Sequence, residues 1–186
     1  MGKIDKIKLK NFKSFKSATI PISSGYTTII GPNGSGKSNI LDAICFVFGT
    51  ASMKTLRADR LTDLVHHHSK DGTAEVLIDL KTKEGIRSVT RSIDKTGNSV
   101  FRLDGKRTTK FQIEETLSSL NIKPDGHNII LQGEITKLIR ATPMQRREII
   151  DEVSGIAEYE AKKQESIREL NKVQEKTKEA NKTNSK

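Results

Sequence analysis

A single cysteine stands in the whole chain, so no internal disulfide can form. Cys45 sits among Ala43, Ile44, Phe46, Val47 and Phe48, the setting of a small buried hydrophobe and not of a redox centre. Long apolar runs are absent too: none approaches the roughly 18 to 20 residues that a membrane span needs, so no bilayer-spanning helix and no membrane partner are expected. The chain opens on charged residues that lead into alternating Ile and Lys, not into the apolar stretch of a secretory signal, and a cytosolic setting is expected. There is no internal repeat, and no run of Lys and Arg is long enough to form a basic tail.

What is present is a soluble mixture, 33% hydrophobic and 30% charged, over 186 residues. That length supports one domain of ordinary size, or one domain with a helical extension. The formal net charge of +10 creates a field that attracts polyanions, whether nucleic acid, anionic lipid or nucleotide, and does not choose among them.

Along the chain, residues 4–12 place Ile7 and Leu9 on one face and Lys6, Lys8 and Lys10 on the other, the period-two pattern of a half-exposed strand. A second strand is expected near residues 17–22. Residues 26–30 read as an apolar, β-forming strand suited to burial, leading into a glycine-rich stretch and an apolar helix over residues 39–48 closed by Gly49. Three alternating runs, 74–80, 86–93 and 99–103, predict an antiparallel meander. Residues 109–120 read as a helix and 127–132 as a buried strand. Thr142-Pro143-Met144-Gln145 starts a further helix in which Thr142 caps and Gln145 reaches back, with a break expected at Gly155. From 158 to 182 nearly every residue is polar or Ala, with Ile167, Leu170 and Val173 as sparse apolar positions, which predicts a long exposed helix.

Gly31-Pro32-Asn33-Gly34-Ser35-Gly36-Lys37-Ser38 fits the pattern G-x-x-x-x-G-K-[ST]. Its glycines let backbone N–H groups converge on phosphate oxygens, and the helix that follows turns its positive end toward the same anion. Lys37 is expected to reach the β- and γ-phosphates and the Ser38 hydroxyl to ligate Mg2+, so ATP with magnesium is the expected cofactor pair. An ATPase of this kind also needs an acidic pair at the end of an apolar strand. Only Ile149-Ile150-Asp151-Glu152 resembles one, and it falls inside the helix that Thr142 caps, preceded by Gln145-Arg146-Arg147-Glu148 where a buried strand needs apolar residues. The hydrolytic carboxylate is therefore expected elsewhere. His66, His67 and His68 are neighbours in a loop and point in different directions, so a solvated loop is expected there and not a metal site.

Together with the phosphate loop, Lys10-Asn11-Phe12-Lys13-Ser14-Phe15, Leu131-Gln132-Gly133-Glu134-Ile135 and Ser154-Gly155-Ile156-Ala157-Glu158-Tyr159 resemble the SMC family, chromosome-organising ATPases with ABC-type heads on long coiled coils. The resemblance runs from Lys3 to about Leu170, and its simple motif set is similar to bacterial and archaeal members. It implies an α/β fold: a P-loop NTPase of ABC type, the amino-terminal half of an ATPase head with an antiparallel β subdomain over 1–155, and the start of a coiled-coil arm over 156–186.

Several roles follow from the resemblance alone. Gln132 matches a glutamine that contacts magnesium and the attacking water, making Lys37 and Gln132 the catalytic candidates. Asn11 to Ser14 match a segment beside the nucleotide, with Lys13, Ser14 and Asn39 as ATP-binding candidates, Arg57 in Leu56-Arg57-Ala58 resembles an arginine that reaches the bound phosphates, and Lys6, Lys8 and Lys10 match a face that meets DNA. The implied partners are the carboxy-terminal half of the same head, a second head in an ATP-sandwiched homodimer, a kleisin subunit near the neck helix, and DNA, in a cytoplasmic, nucleoid-associated setting. Chromosome condensation and segregation is the implied function. Two readings stand beside it: the half-head of a coiled-coil ATPase of double-strand-break repair, which a zinc hook far downstream would mark, and a module that holds nucleotide and DNA without turnover.

Overall fold

The computed structural model describes residues 2–49, 52–122, 129, 130, 139, 141–153, 163 and 166–174. The chain divides into two compact units, Met1–Ile129 and Ile130–Lys186.

The first unit is built on a six-stranded antiparallel sheet: β1 Lys3–Phe12, β2 Phe15–Pro21, β3 Thr73–Thr82, β4 Gly85–Asp94, β5 Ser99–Leu103 and β6 Lys106–Thr108, in the order β2-β1-β3-β4-β5-β6. The expected meander is present as β3, β4 and β5, and the short β6 extends it, pairing Arg102 with Arg107. Alternation decides which face is covered. Ile7, Leu9, Val76, Ile78, Val89 and Ile93 are buried, while Lys8 and Lys10 on β1 and Glu75 on β3 stay exposed.

Helix α1, Lys37–Val47, supplies Ile40, Ala43, Phe46 and Val47 to the core, and Gly49 follows its end in the left-handed region at φ 87°. The Phe12 and Phe46 rings meet with centroids 5.4 Å apart. Each such ring withdrawn from water contributes about 1.5–3 kcal/mol, so α1 is fixed to the sheet chiefly by its apolar face. Arg91 adds a polar tie: its guanidinium lies between the rings of Phe46 (4.3 Å) and Phe101 (4.6 Å) and donates to the Phe46 carbonyl (2.8 Å) and to Ser99 Oγ (2.8 Å). Helix α2, Lys110–Ser119, is capped by Thr109, whose Oγ1 accepts from the Gln112 N–H, and buries Ile113 and Leu117. Cys45 is buried, as its apolar neighbours imply.

One expectation is corrected. Residues 26–30 form no strand, and Tyr26 (93% exposed) and Ile30 (86%) face solvent. A β-forming sequence becomes a strand only when a neighbour takes its backbone N–H and C=O groups, and among the described residues none does so here.

In the second unit, α3 runs Pro143–Val153 behind the expected reciprocal cap: the Thr142 N–H donates to Gln145 Oε1 (2.9 Å) and the Gln145 N–H to Thr142 Oγ1 (3.3 Å). Asp151 and Glu152 thus belong to a helix, which removes them as the strand-end acidic pair. Residues 166–174 are helical and exposed, in line with the polar composition there. The strand expected over 127–132, the segments 131–135 and 154–159, the break at Gly155 and the boundary at 155/156 fall wholly or mainly outside the described residues.

Candidate nucleotide site

The phosphate loop enters α1 through Gly36, whose φ of 90° is left-handed. A Cβ at that position would lie 2.8 Å from Ser14 Oγ and 3.1 Å from the Phe15 ring, so only glycine fits against the β1–β2 turn. No side chain caps α1 and no acidic residue stands in its first turn, which leaves the helix's initial N–H groups and positive dipole end directed to the loop. The Lys37 ammonium donates to the carbonyls of Gly31 (2.7 Å) and Pro32 (2.6 Å), curling back over the loop it follows. Ser38 is exposed on the first turn beside it.

Two more cations are gathered at the same place. Lys13, in the β1–β2 turn, bonds the Asp42 carboxylate and the Leu56 carbonyl. Arg57 holds Asp42 by two points, Nη2 to Oδ2 at 2.7 Å and Nε to Oδ1 at 3.3 Å, and its Nη2 lies 3.5 Å from Asn39 Oδ1. Asn39 Nδ2 donates to Ser14 Oγ (2.8 Å). Lys13, Ser14, Asn39 and Arg57 thus converge with the loop at the start of α1. Asp42 had no role in the sequence reading. The available signal was a carboxylate inside an apolar helix, a residue type seldom buried without a partner. Gln132 lies outside the described residues.

His66 belongs to the frame of this site. Its Nδ1 lies 2.6 Å from the Lys13 carbonyl, its N–H donates to Asn11 O (2.8 Å), and the Lys13 N–H donates to Leu64 O (2.7 Å). Among the described residues no group of three His, Cys, Asp or Glu side chains is placed to hold a metal ion.

The β1 lysines divide. Lys6, one of the three lysines expected from sequence to face DNA, pairs with Asp79 at 3.0 Å. Burial raises the Asp79 pKa, but hydrogen bonds from Ser88 and Lys6 and the charges of Lys6 and Lys8 outweigh it and hold the carboxyl below its ordinary range. Lys8 and Lys10 remain exposed and, with Lys16, His68 and Lys70, line a concavity of about 660 Å³ that also contains Asp71 and Glu75.

A loop of this sequence at a helix N-terminus, beside a β1–β2 turn that bears Lys13, agrees with comparison to known proteins. Residues 3–155 match the family model of the RecF/RecN/SMC N-terminal domain. The chain belongs to that family. The chromosome partition protein Smc of Pyrococcus furiosus is 44% identical over 188 residues, and that of Methanocaldococcus jannaschii 40% identical over 192, each alignment covering 94% of this chain. Both cover only 16% of those relatives, so the chain corresponds to about one sixth of their length. Among solved structures, the Smc head domain of Pyrococcus furiosus, with an extended coiled coil and bound to the C-terminal domain of ScpA, superposes with a TM-score of 0.82 at 44% identity, over 94% of this chain and 47% of that one. A chain solved in work on ATP-driven dimerization and DNA-stimulated activation of SMC ATPases superposes at 0.73 with 42% identity, over 81% of this chain and 98% of that one. The fold is that of the SMC head, an ABC-type P-loop ATPase fold.

Proposed function

We propose that the chain is the ATP-binding half of a chromosome partition ATPase. The observation that carries the reading is the loop Gly31–Ser38 at the uncapped start of α1, with Lys13, Ser14, Asn39 and Arg57 brought to the same point. Backbone N–H groups of Gly34, Ser35, Gly36 and Lys37 cradle the phosphates, with Pro32 and Asn33 shaping the turn, and the Lys37 ammonium exchanges its carbonyl partners for the β- and γ-phosphates. The exposed Ser38 hydroxyl suits magnesium, with Gln132 as a further contact to the metal and to the attacking water. Magnesium supplies positive charge where phosphoryl transfer to water builds up negative charge. This chain's part is positioning and electrostatic stabilisation by Lys37, Lys13 and Arg57.

Hydrolysis in this reading requires the carboxy-terminal portion of the full-length protein, because neither the strand-end carboxylates nor a partner strand for the apolar segment 26–30 is found among the described residues. Two such heads would sandwich ATP as a homodimer, with a kleisin subunit on the arm that continues past residue 156 and DNA as the substrate. The setting is cytoplasmic, at the nucleoid. Phosphates of DNA would lie over Lys8 and Lys10. Identity to chromosome partition proteins supports this over the repair ATPase and over a module without turnover.

The test mixes the chain with the carboxy-terminal portion of the same polypeptide and follows phosphate release. Activity is expected only in the mixture and is lost in Lys37→Ala. Equal turnover by the chain alone, or by the Lys37→Ala mixture, refutes the half-site account.

A further inference from the structure

Asp42 is a carboxylate placed where a carboxylate is costly. Its side chain is 4% exposed, on a helix whose neighbouring buried residues are Ala43, Cys45 and Phe46. An ionised group in such a place needs compensation by charge and hydrogen bonds. Asp42 receives both from two segments distant in sequence, Lys13 in the β1–β2 turn and Arg57 in the loop after α1, which Lys13 also joins through the Leu56 carbonyl.

Three features separate this from an ordinary structural ion pair. Lys13 and Arg57 both hold left-handed backbone, at φ 48° and 47°, a conformation that long side chains adopt rarely and that persists only where surrounding contacts enforce it. Arg57 spends one edge of its fork on Asp42 and Asn39, through Nε and Nη2, so Nη1 has no protein partner among the described residues. The Arg57 side chain is 42% exposed against 4% for Asp42: the carboxylate holds one edge of the guanidinium, whose Nη2 also reaches Asn39 in the first turn of α1 behind the phosphate loop. Asn39 stands one helical turn before Asp42 on the same face, and its bond to Ser14 closes the ring around loop, turn and helix.

We propose that Asp42 is a positioning residue of the nucleotide site. It fixes Lys13 and Arg57 so that their charge is already in place for the phosphates of a nucleoside triphosphate held by Gly31–Ser38. The inference rests on that loop's being an ATP site. Asp42 touches no phosphate itself; it acts through the two cations, whose side-chain freedom is removed before binding instead of during it.

The experiment is a double-mutant cycle on MgATP affinity, measured by titration calorimetry on this chain, with thermal melts to verify folding. Asp42→Asn keeps the shape and removes the charge, and Arg57→Ala removes the fork. Each is expected to weaken MgATP binding about tenfold, while in the Arg57→Ala background Asp42→Asn has less than about a threefold further effect, because part of what it acts through is gone. A role confined to stability lowers the melting temperature without this coupling. Asp42→Asn that melts cooperatively and binds as tightly as the parent overturns the proposal, and so do effects that simply multiply. Should Asp42→Asn not fold, Arg57→Lys decides: lysine keeps the charge but cannot make the two-point contact, so affinity is expected to fall nearly as far as in Arg57→Ala, and full affinity overturns the proposal. A parent chain that binds no MgATP, or a Lys37→Ala chain that binds it normally, refutes the ATP reading itself and this proposal with it.

Discussion

At the scale of single residues, Asp79 shows how a sheet face with many lysines accommodates a buried acid. Ser88 Oγ donates to it at 2.6 Å and Lys6 lies at 3.0 Å, which keeps its pKa below that of the unfolded chain. A carboxyl lowered by folding stabilises the fold above its unfolded pKa, and that contribution disappears as pH falls through the lowered value. Asp79→Asn is therefore expected to flatten the dependence of stability on pH below about 4 without changing its shape near neutrality, as read from urea melts between pH 2.5 and 7. Gly36 is the second residue at which one atom decides the outcome. Gly36→Ala adds a Cβ in left-handed backbone against Ser14 Oγ at 2.8 Å, which costs at least about 1–2 kcal/mol at the entry to α1. MgATP affinity is expected to fall more than tenfold in calorimetry, about 1.4 kcal/mol or more, while the sheet's circular dichroism stays unchanged. The identity of Gly36 was legible because its spacing to Lys37 and Ser38 is a local property. The role of Asp42 was not, because its partners lie 29 residues before it and 15 after it in sequence.

Elements follow the sequence where their periodicity is satisfied by contacts nearby. β1 pairs with β2 across a short turn, and β3, β4 and β5 follow one another as hairpins, so alternation and turn residues sufficed to place them. β1 also pairs with β3, bringing Leu9 opposite Val76, and that long-range register was not legible. Arg91 is the element-scale junction, joining the end of α1 to β4 and β5. Burial lowers its pKa to about 10, which leaves it charged at neutral pH. Arg91→Lys keeps a charge but cannot lie flat between Phe46 and Phe101 while also donating to the Phe46 carbonyl and Ser99. It is expected to destabilise the chain by about 1–2 kcal/mol in equilibrium urea unfolding.

For the whole molecule the informative segment is 26–30. Tyr26 and Ile30 carry the composition of a buried strand and lie in solvent. If the carboxy-terminal portion supplies the neighbouring strand, backbone amides of residues 26–30 are expected to gain hydrogen-exchange protection of at least tenfold on mixing, and unchanged exchange would remove this segment from the interface. The second prediction at this scale concerns charge. Lys8→Gln with Lys10→Gln is expected to weaken duplex DNA binding uniformly across sequences and to reduce the slope of log K against log salt by about 2, whereas Lys6→Gln changes it little because Lys6 is committed to Asp79. By itself the sequence determined the phosphate loop, the apolar helix behind it, the meander and the family, since each depends on residues a few positions apart whose chemistry is set locally. Only the tertiary structure decided that one buried carboxylate gathers Lys13 and Arg57, that Lys6 parts from Lys8 and Lys10, and that 26–30 is no strand in this chain. These outcomes depend on which distant groups come within bonding distance, and a strand or an ion pair exists only when its partner is there.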